Sequence, residues 1–175
     1  VVGLARTWYR DLLLREDKDA PVGIEQAQSA LREVILRRAA DLFRSDEEAQ
    51  LVLMRVAMLR EKLPEKPWPT WNDAELGEVL ADASGGLKGL GAVKALPLAS
   101  ILKAALEYPL DRLLEQEAPE SLEVPSGSRI KLRYSPTEVV LAARLQELFG
   151  WLDTPRIAGG RVPVKVGLLG PNYRP

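Results

Sequence analysis

Three basic residues at alternate positions, Arg129, Lys131 and Arg133, are separated by Ile130 and Leu132 and followed by Tyr134. Alternation of charged with apolar side chains reads as a half-buried strand, which puts the three cations on one face. Further along, Arg156 and Arg161 flank Gly159-Gly160, and Lys165 stands beyond them. Lysine and arginine neutralise phosphates, and glycines let backbone amides come close to an anion. These eight residues are the candidate nucleic-acid-binding set. Tyr134 and Tyr173 are the rings available for stacking, a thin supply, because single-strand binders usually interleave more aromatics.

The distribution of charge has the same sense. From Val124 onward eight basic residues meet three acidic ones, a net +5, while the preceding chain carries −6, for −1 in all. Such separation of sign suggests a polyanion-facing end on an acidic body. The alternative, equally open on charge alone, is a basic strand face that stays solvated or pairs with the acidic helices.

Other chemistry is excluded by what the 175 residues lack. There are no histidines and no cysteines. Zinc hydrolases and serine–histidine triads are thereby ruled out, as are disulfides and thiolate metal sites, which fits a reducing cytoplasm. No apolar run approaches the ~20 residues of a membrane span, and the N-terminus lacks a signal-peptide pattern. Asp46, Glu47 and Glu48 could suggest a metal cluster, but acids in a first helical turn complement the helix dipole, and that reading is preferred. Gly85 to Lys94 is rich in glycine and lysine without matching GxxxxGK[ST], and no apolar strand precedes it. It reads as a helix–helix connection. No catalytic residue, cofactor site or metal site is assigned.

The elements that must position the basic residues follow from local patterns. Val124 to Ser128 is turn chemistry, with Pro125 and Gly127. Ser135-Pro136-Thr137-Glu138 reads as a capped helix start, with Leu141, Leu145 and Leu148 on one face and Gly150 as its stop. Leu145, in mid-stripe, is expected to be buried. Val162 to Leu169 returns as an apolar strand that Pro163 and Gly167 mark as an edge or a bulge. Upstream, Ile24, Ala27, Leu31, Val34, Ile35, Leu42 and Phe43 form a helical stripe, and Ser45-Asp46-Glu47-Glu48 reads as a serine-to-glutamate capping box that starts a second helix. That helix is apolar nearly all round from Leu51 to Leu59 apart from Arg55, which must be paired with a carboxylate or reach the surface along its stem. Trp68 and Trp71 anchor a proline-punctuated loop. Helices follow at Asn72 to Ala83, from Pro97, and at Leu110 to Glu117. Leu12-Leu13-Leu14 fits either a helix or a strand, and Lys18 to Gly23 reads as a polar linker.

Several runs resemble the C-terminal region of the bacterial HrpB-type ATP-dependent helicases, a DEAH-box group. They are VPSGSRI at Val124 to Ile130, LAARLQELFG at Leu141 to Gly150, DTPR at Asp153 to Arg156 and IAGGRVP at Ile157 to Pro163. Leu168-Leu169 and Arg174-Pro175 fit a Leu-Leu-x-Pro-x-x-Arg-Pro frame, with Gly170 where that family usually has serine and Tyr173 in place of a more polar residue. Trp68-Pro69 matches more loosely, and an arginine stands at the family position of Arg55. The resemblance is strongest over the last fifty residues or so.

The resemblance implies an α+β fold: a leading strand from a truncated OB-like barrel with its linker (1–20), a helical layer of four to five short helices (21–120), and a basic strand–helix–strand unit (121–175) truncated at its C-terminal end. It implies an accessory module of an ATP-dependent RNA helicase, contacting or steering single-stranded RNA or DNA, weakly on its own, and packing on its own motor domains. The competing expectation is a docking or regulatory module without nucleic-acid contact; an independent enzyme is disfavoured. ATP and Mg²⁺ are expected only in motor domains outside this chain, which lacks a phosphate cradle, a magnesium ligand and a positioned water. The chain alone is not expected to be an enzyme, and its expected setting is cytoplasmic and away from membranes.

Overall fold

Leu12-Leu13-Leu14 lies in a strand. In the computed structural model, which describes residues 3–20 and 23–169, β1 (Gly3–Tyr9) pairs antiparallel with β2 (Leu12–Ala20) through a two-residue turn. Arg10 turns the chain with φ 51. Trp8 stands opposite Leu13, and Arg6 Nε donates to Glu16 at 2.9 Å. The strand extends to Ala20, so Lys18 to Ala20 continue β2 rather than opening a linker. Pro21 and Val22, also placed in that linker, lie outside the described residues.

This hairpin belongs to the first of two units, formed by residues 1–46 and 71–101. Here α1 (Ile24–Ser45) buries Leu31, Ile35, Ala39 and Phe43, spaced by four, as a helical stripe requires. Ile24 and Val34 of the expected stripe are exposed. The partner of α1 is α3 (Asp73–Ala83), opened by a capping box in which Asn72 Oδ1 accepts from Glu75 N–H at 2.9 Å. The two helices approach closely at Gly77, where a Cβ would sit 3.2 Å from the Leu36 carbonyl oxygen. Ion pairs of Arg32 with Glu78 and Arg44 with Asp73 fasten the pair. The glycine-rich stretch is a turn at Gly86 (φ 81) leading into the five-residue α4 (Leu90–Lys94). Then α5 (Leu98–Ala104) runs across the division between the units.

The second unit takes residues 47–70 and 102–175. In it α2 (Glu47–Lys62), acidic in its first turn as expected, packs against α6 (Leu110–Glu117) and against a five-stranded sheet. Ser45 does not cap it: that residue ends α1, and its hydroxyl donates back to Leu42 O at 2.9 Å. The strands are β3 (Ser121–Glu123), β4 (Arg129–Tyr134), β5 (Val139–Ala143), β6 (Arg156–Ile157) and β7 (Val162–Leu168), in the order β3-β4-β5-β7-β6. Only β5 and β7 run parallel. The inward face buries Leu132, Tyr134, Val139, Leu141, Ala143, Ile157, Val162 and Val164.

Two expectations are corrected here. No α-helix follows Ser135: the residues read as a helix start form the turn between β4 and β5. Ser135 Oγ accepts from Glu138 N–H at 3.1 Å, and Ser135 N–H donates to the Glu138 carbonyl at 2.9 Å. A serine that can cap a helix can equally close a tight turn, and the β-branched Val139-Val140 behind it favours a strand. The leucines then fall apart: Leu141 is buried in β5, while Leu145, in a single 3₁₀ turn (Leu145–Leu148), is 57% exposed. The second correction concerns β7, which lies inside the sheet order. Its neighbour β6 spans only two residues, so beyond Val164, whose N–H donates to Pro155 O at 2.8 Å, no strand among the described residues pairs with the outer edge of β7, in line with Pro163 and Gly167. Trp68 and Trp71 are both buried.

Candidate functional site

Residues directly opposite one another in a ladder share a face. Arg133 stands opposite Val140, Val140 opposite Lys165, and Arg156 opposite Pro163. Arg129, Lys131 and Arg133 alternate with the inward Ile130, Leu132 and Tyr134. The register therefore brings Arg129, Lys131, Arg133, Lys165 and Arg156 onto the outer face of one sheet. The same face carries Val140, Ala142, Pro163 and Gly167, and on β3 Ser121 opposite Lys131 and Glu123 opposite Arg129, with no aromatic ring among its described residues.

These cations are not equally available. Arg129, Lys131 and Arg133 are exposed, and none forms an ion pair among the described residues, though Glu123 stands across the ladder from Arg129. Lys165 is paired with Glu138. Arg156 Nε donates to the Gly160 carbonyl at 2.6 Å. Arg161, off the sheet face, donates to the Lys62 carbonyl and at 3.0 Å to Glu65, whose carboxyl the bond holds below its ordinary range.

The glycine turn is likewise occupied. Ala158, Gly159 and Gly160 all adopt left-handed backbone, with φ of 53, 61 and 78. Ala158 N–H donates to the Glu117 carbonyl at 2.7 Å, and Gly159 N–H to the Glu117 carboxylate. The turn thus docks β6 and β7 on the end of α6, and the Gly159 amide already has an anion. Tyr134 is no stacking platform: it is 8% exposed, and its hydroxyl donates to Pro119 O at 2.6 Å. Burial pushes its pKa up, keeping it a phenol donor. Tyr173 lies outside the described residues.

A second cluster in this unit surrounds Arg55, whose side chain is fully buried. Its Nε donates to Ala118 O at 2.5 Å and one Nη to Leu114 O at 3.2 Å. Glu115 and Glu120 take the charge at 2.8 and 3.0 Å, and Lys103 bridges the same two carboxylates at 3.0 and 2.8 Å. Burial would raise the pKa of Glu115, but hydrogen bonds from Arg55 and Lys103 outweigh it and hold the carboxyl below its usual value. Desolvation would lower that of Lys103, and the bonds to Glu120 and Glu115 reverse the sign. The arrangement is a fully satisfied ion-pair network joining α2 to α6 and the start of β3. Sequence demanded a partner for Arg55 but carried no signal for which acids, since they lie 60 and 65 residues away. The ties of Glu138, Glu65 and Glu117 were equally invisible.

Gly85 to Lys94 follows a helix rather than a strand and precedes a helix of five residues. No group of three or more potential ligands that could hold a metal ion occurs among the described residues. A cleft of about 400 Å³ between α2 and the β4–β5 turn is lined by Met54, Met58, Arg60, Glu61 and Ser135, with no paired nucleophile and base.

Residues 79–175 match the family described as ATP-dependent helicase C-terminal. The ATP-dependent RNA helicase HrpB of Escherichia coli is 30% identical over 182 residues, covering 99% of this chain and 22% of its own length. A crystal structure of the E. coli DExH-box NTPase HrpB superposes with a TM-score of 0.79 at 30% identity, over 94% of this chain and 21% of that one. Another, of the E. coli DEAH/RHA helicase HrpB, gives 0.78 at 29% identity, over 98% and 22%. The chain thus spans about a fifth of the length of the relatives it matches.

Proposed function

The chain belongs to the ATP-dependent helicase C-terminal family, and on that footing we propose that it is an accessory module of an RNA helicase, contacting or steering nucleic acid through the outer face of its sheet. Motor domains elsewhere in the parent bind ATP and Mg²⁺ and perform the hydrolysis; the chain itself turns over no ATP. The observation that carries this reading is the row Arg129, Lys131 and Arg133: exposed cations that form no ion pair among the described residues. Desolvated or paired cations have spent their field, whereas these three have not. Lys165 and Arg156 border the row and would add to it only by leaving Glu138 and Gly160 O.

A docking role has its own support. Leu145, Phe149 and Leu152 are exposed in the connection from β5 to β6, the last at 95%. Such side chains suit a protein surface, the parent's motor domains or a partner. No helix among the described residues is long and apolar enough to cross a membrane.

The two readings separate by anisotropy titration of labelled single-stranded RNA at several salt concentrations. Replacing Arg129, Lys131 and Arg133 together by Ala should weaken binding at least tenfold at low salt. Replacing Arg32 and Arg37, already paired with Glu78 and Glu33, should leave it unchanged. Equal losses from both sets, or no binding by the parent chain at low salt, would favour docking.

A further inference from the structure

Same-face residues of a strand stand about 6.7 Å apart, so Arg129, Lys131 and Arg133 form a straight row about 13 Å long. A polynucleotide strand stretched until its bases unstack carries phosphates at a similar interval, roughly twice the 3.4 Å rise of a stacked strand. A duplex backbone winds away from such a row. On the β5 side of the row the face offers Val140, Ala142, Gly167 and Pro163, and on the β3 side Ser121 stands opposite Lys131 and Glu123 opposite Arg129. None of the four on the β5 side can hydrogen-bond a base edge or stack on a base, the nearest ring of β4, Tyr134, points inward, and the carboxylate of Glu123 keeps a polyanion to the β5 side.

From this juxtaposition we propose that the sheet face takes an extended single strand by its phosphodiester backbone alone, one phosphate per cation, with the bases neither stacked nor read. The inference rests on the nucleic-acid reading above and sharpens it. RNA, DNA and a strand stripped of its bases become equivalent ligands, while a duplex or an uncharged backbone does not.

The test is anisotropy with a labelled 12-mer of single-stranded RNA, competed by its DNA counterpart, an abasic phosphodiester 12-mer, a methylphosphonate 12-mer, the matching duplex and polyglutamate. The DNA and abasic strands should compete within about twofold of the RNA. The methylphosphonate should not compete, and the duplex and polyglutamate only several-fold more weakly. The log–log salt slope should be about −2, since each phosphate contact on a single strand contributes about −0.7. Lys131→Glu, a surface change checked by circular dichroism, should remove most of the binding. Tenfold weaker competition by the abasic strand would overturn the inference in favour of base contacts while leaving the nucleic-acid reading intact. Equal competition by duplex or polyglutamate would overturn it in favour of diffuse attraction. Absence of RNA binding would remove both readings at once.

Discussion

Arg55 and the row on β4 place the same kind of charge in opposite circumstances within one unit. Arg55 is without solvent, and its guanidinium is matched by two carboxylates and two carbonyls. Arg129, Lys131 and Arg133 are in solvent and form no ion pair among the described residues. A cation whose donors are all engaged holds the fold together and has nothing left for a ligand; one held in place by its strand, with its donors free, can act on something else. Counting basic residues cannot tell the two apart, but counting engaged donors can.

The largest effect should come from Arg55→Ala, which removes the side-chain donor of the Ala118 carbonyl, leaves the Leu114 carbonyl with only its backbone donor, and leaves Glu115 and Glu120 to Lys103 alone. Breaking a buried pair costs about 3–5 kcal/mol, and since both acids are nearly half exposed a loss near about 3 kcal/mol is expected in chemical denaturation. A loss below about 1 kcal/mol would put Arg55 on the same footing as the row and erase the contrast.

Acid should reproduce part of that loss without mutation. The carboxyl of Glu115 titrates below its ordinary 4.5 in the folded chain. Its stabilising share is then complete above that value and lost as pH falls through the lowered one. Lys103 has the opposite sense: raised above 10.5, it contributes below that value and fades as pH climbs through the raised one. Denaturation midpoints should therefore fall on acidification below about 4.5, and Glu115→Gln should flatten that dependence. An acid limb unchanged in the variant would move the cause elsewhere.

The smallest effects belong to the exposed residues. Neither the triple alanine variant of the β4 row nor Leu145→Ala should shift stability by more than about 0.5 kcal/mol, since surface changes away from caps and networks rarely do. A larger cost for the row would mean that its cations are structural after all.

How much was legible follows from the range of each signal. Alternation along β4 lies within six residues, so the face of Arg129, Lys131 and Arg133 could be read directly. The helix start at Asn72 and the acidic start of α2 are also local, and both formed. The Ser135 turn was misread because one four-residue pattern serves two geometries, and only pairing with β4 and β7 decides between them. The partners of Arg55, Arg161 and Lys165 lie 27 to 99 residues away, and no local pattern reaches that far. Five members of the candidate set share the outer face of the sheet, while Arg161, Gly159 and Gly160 lie off it. Which of its members are free is a property of the assembled sheet.

The spacing of Arg55 from its acids also sets a schedule during synthesis. Glu115 leaves the ribosome 60 residues after Arg55, a wait of roughly 3–12 s at ~5–20 residues per second. Throughout that interval α2 carries an apolar surface and an unmatched guanidinium. Neither unit is one continuous stretch of chain, so the nascent protein cannot finish this one before the chain leaves it for residues 71–101 and returns. The network that makes α2 safe to bury is also what obliges it to wait, and for those seconds the helix is a natural client for a chaperone.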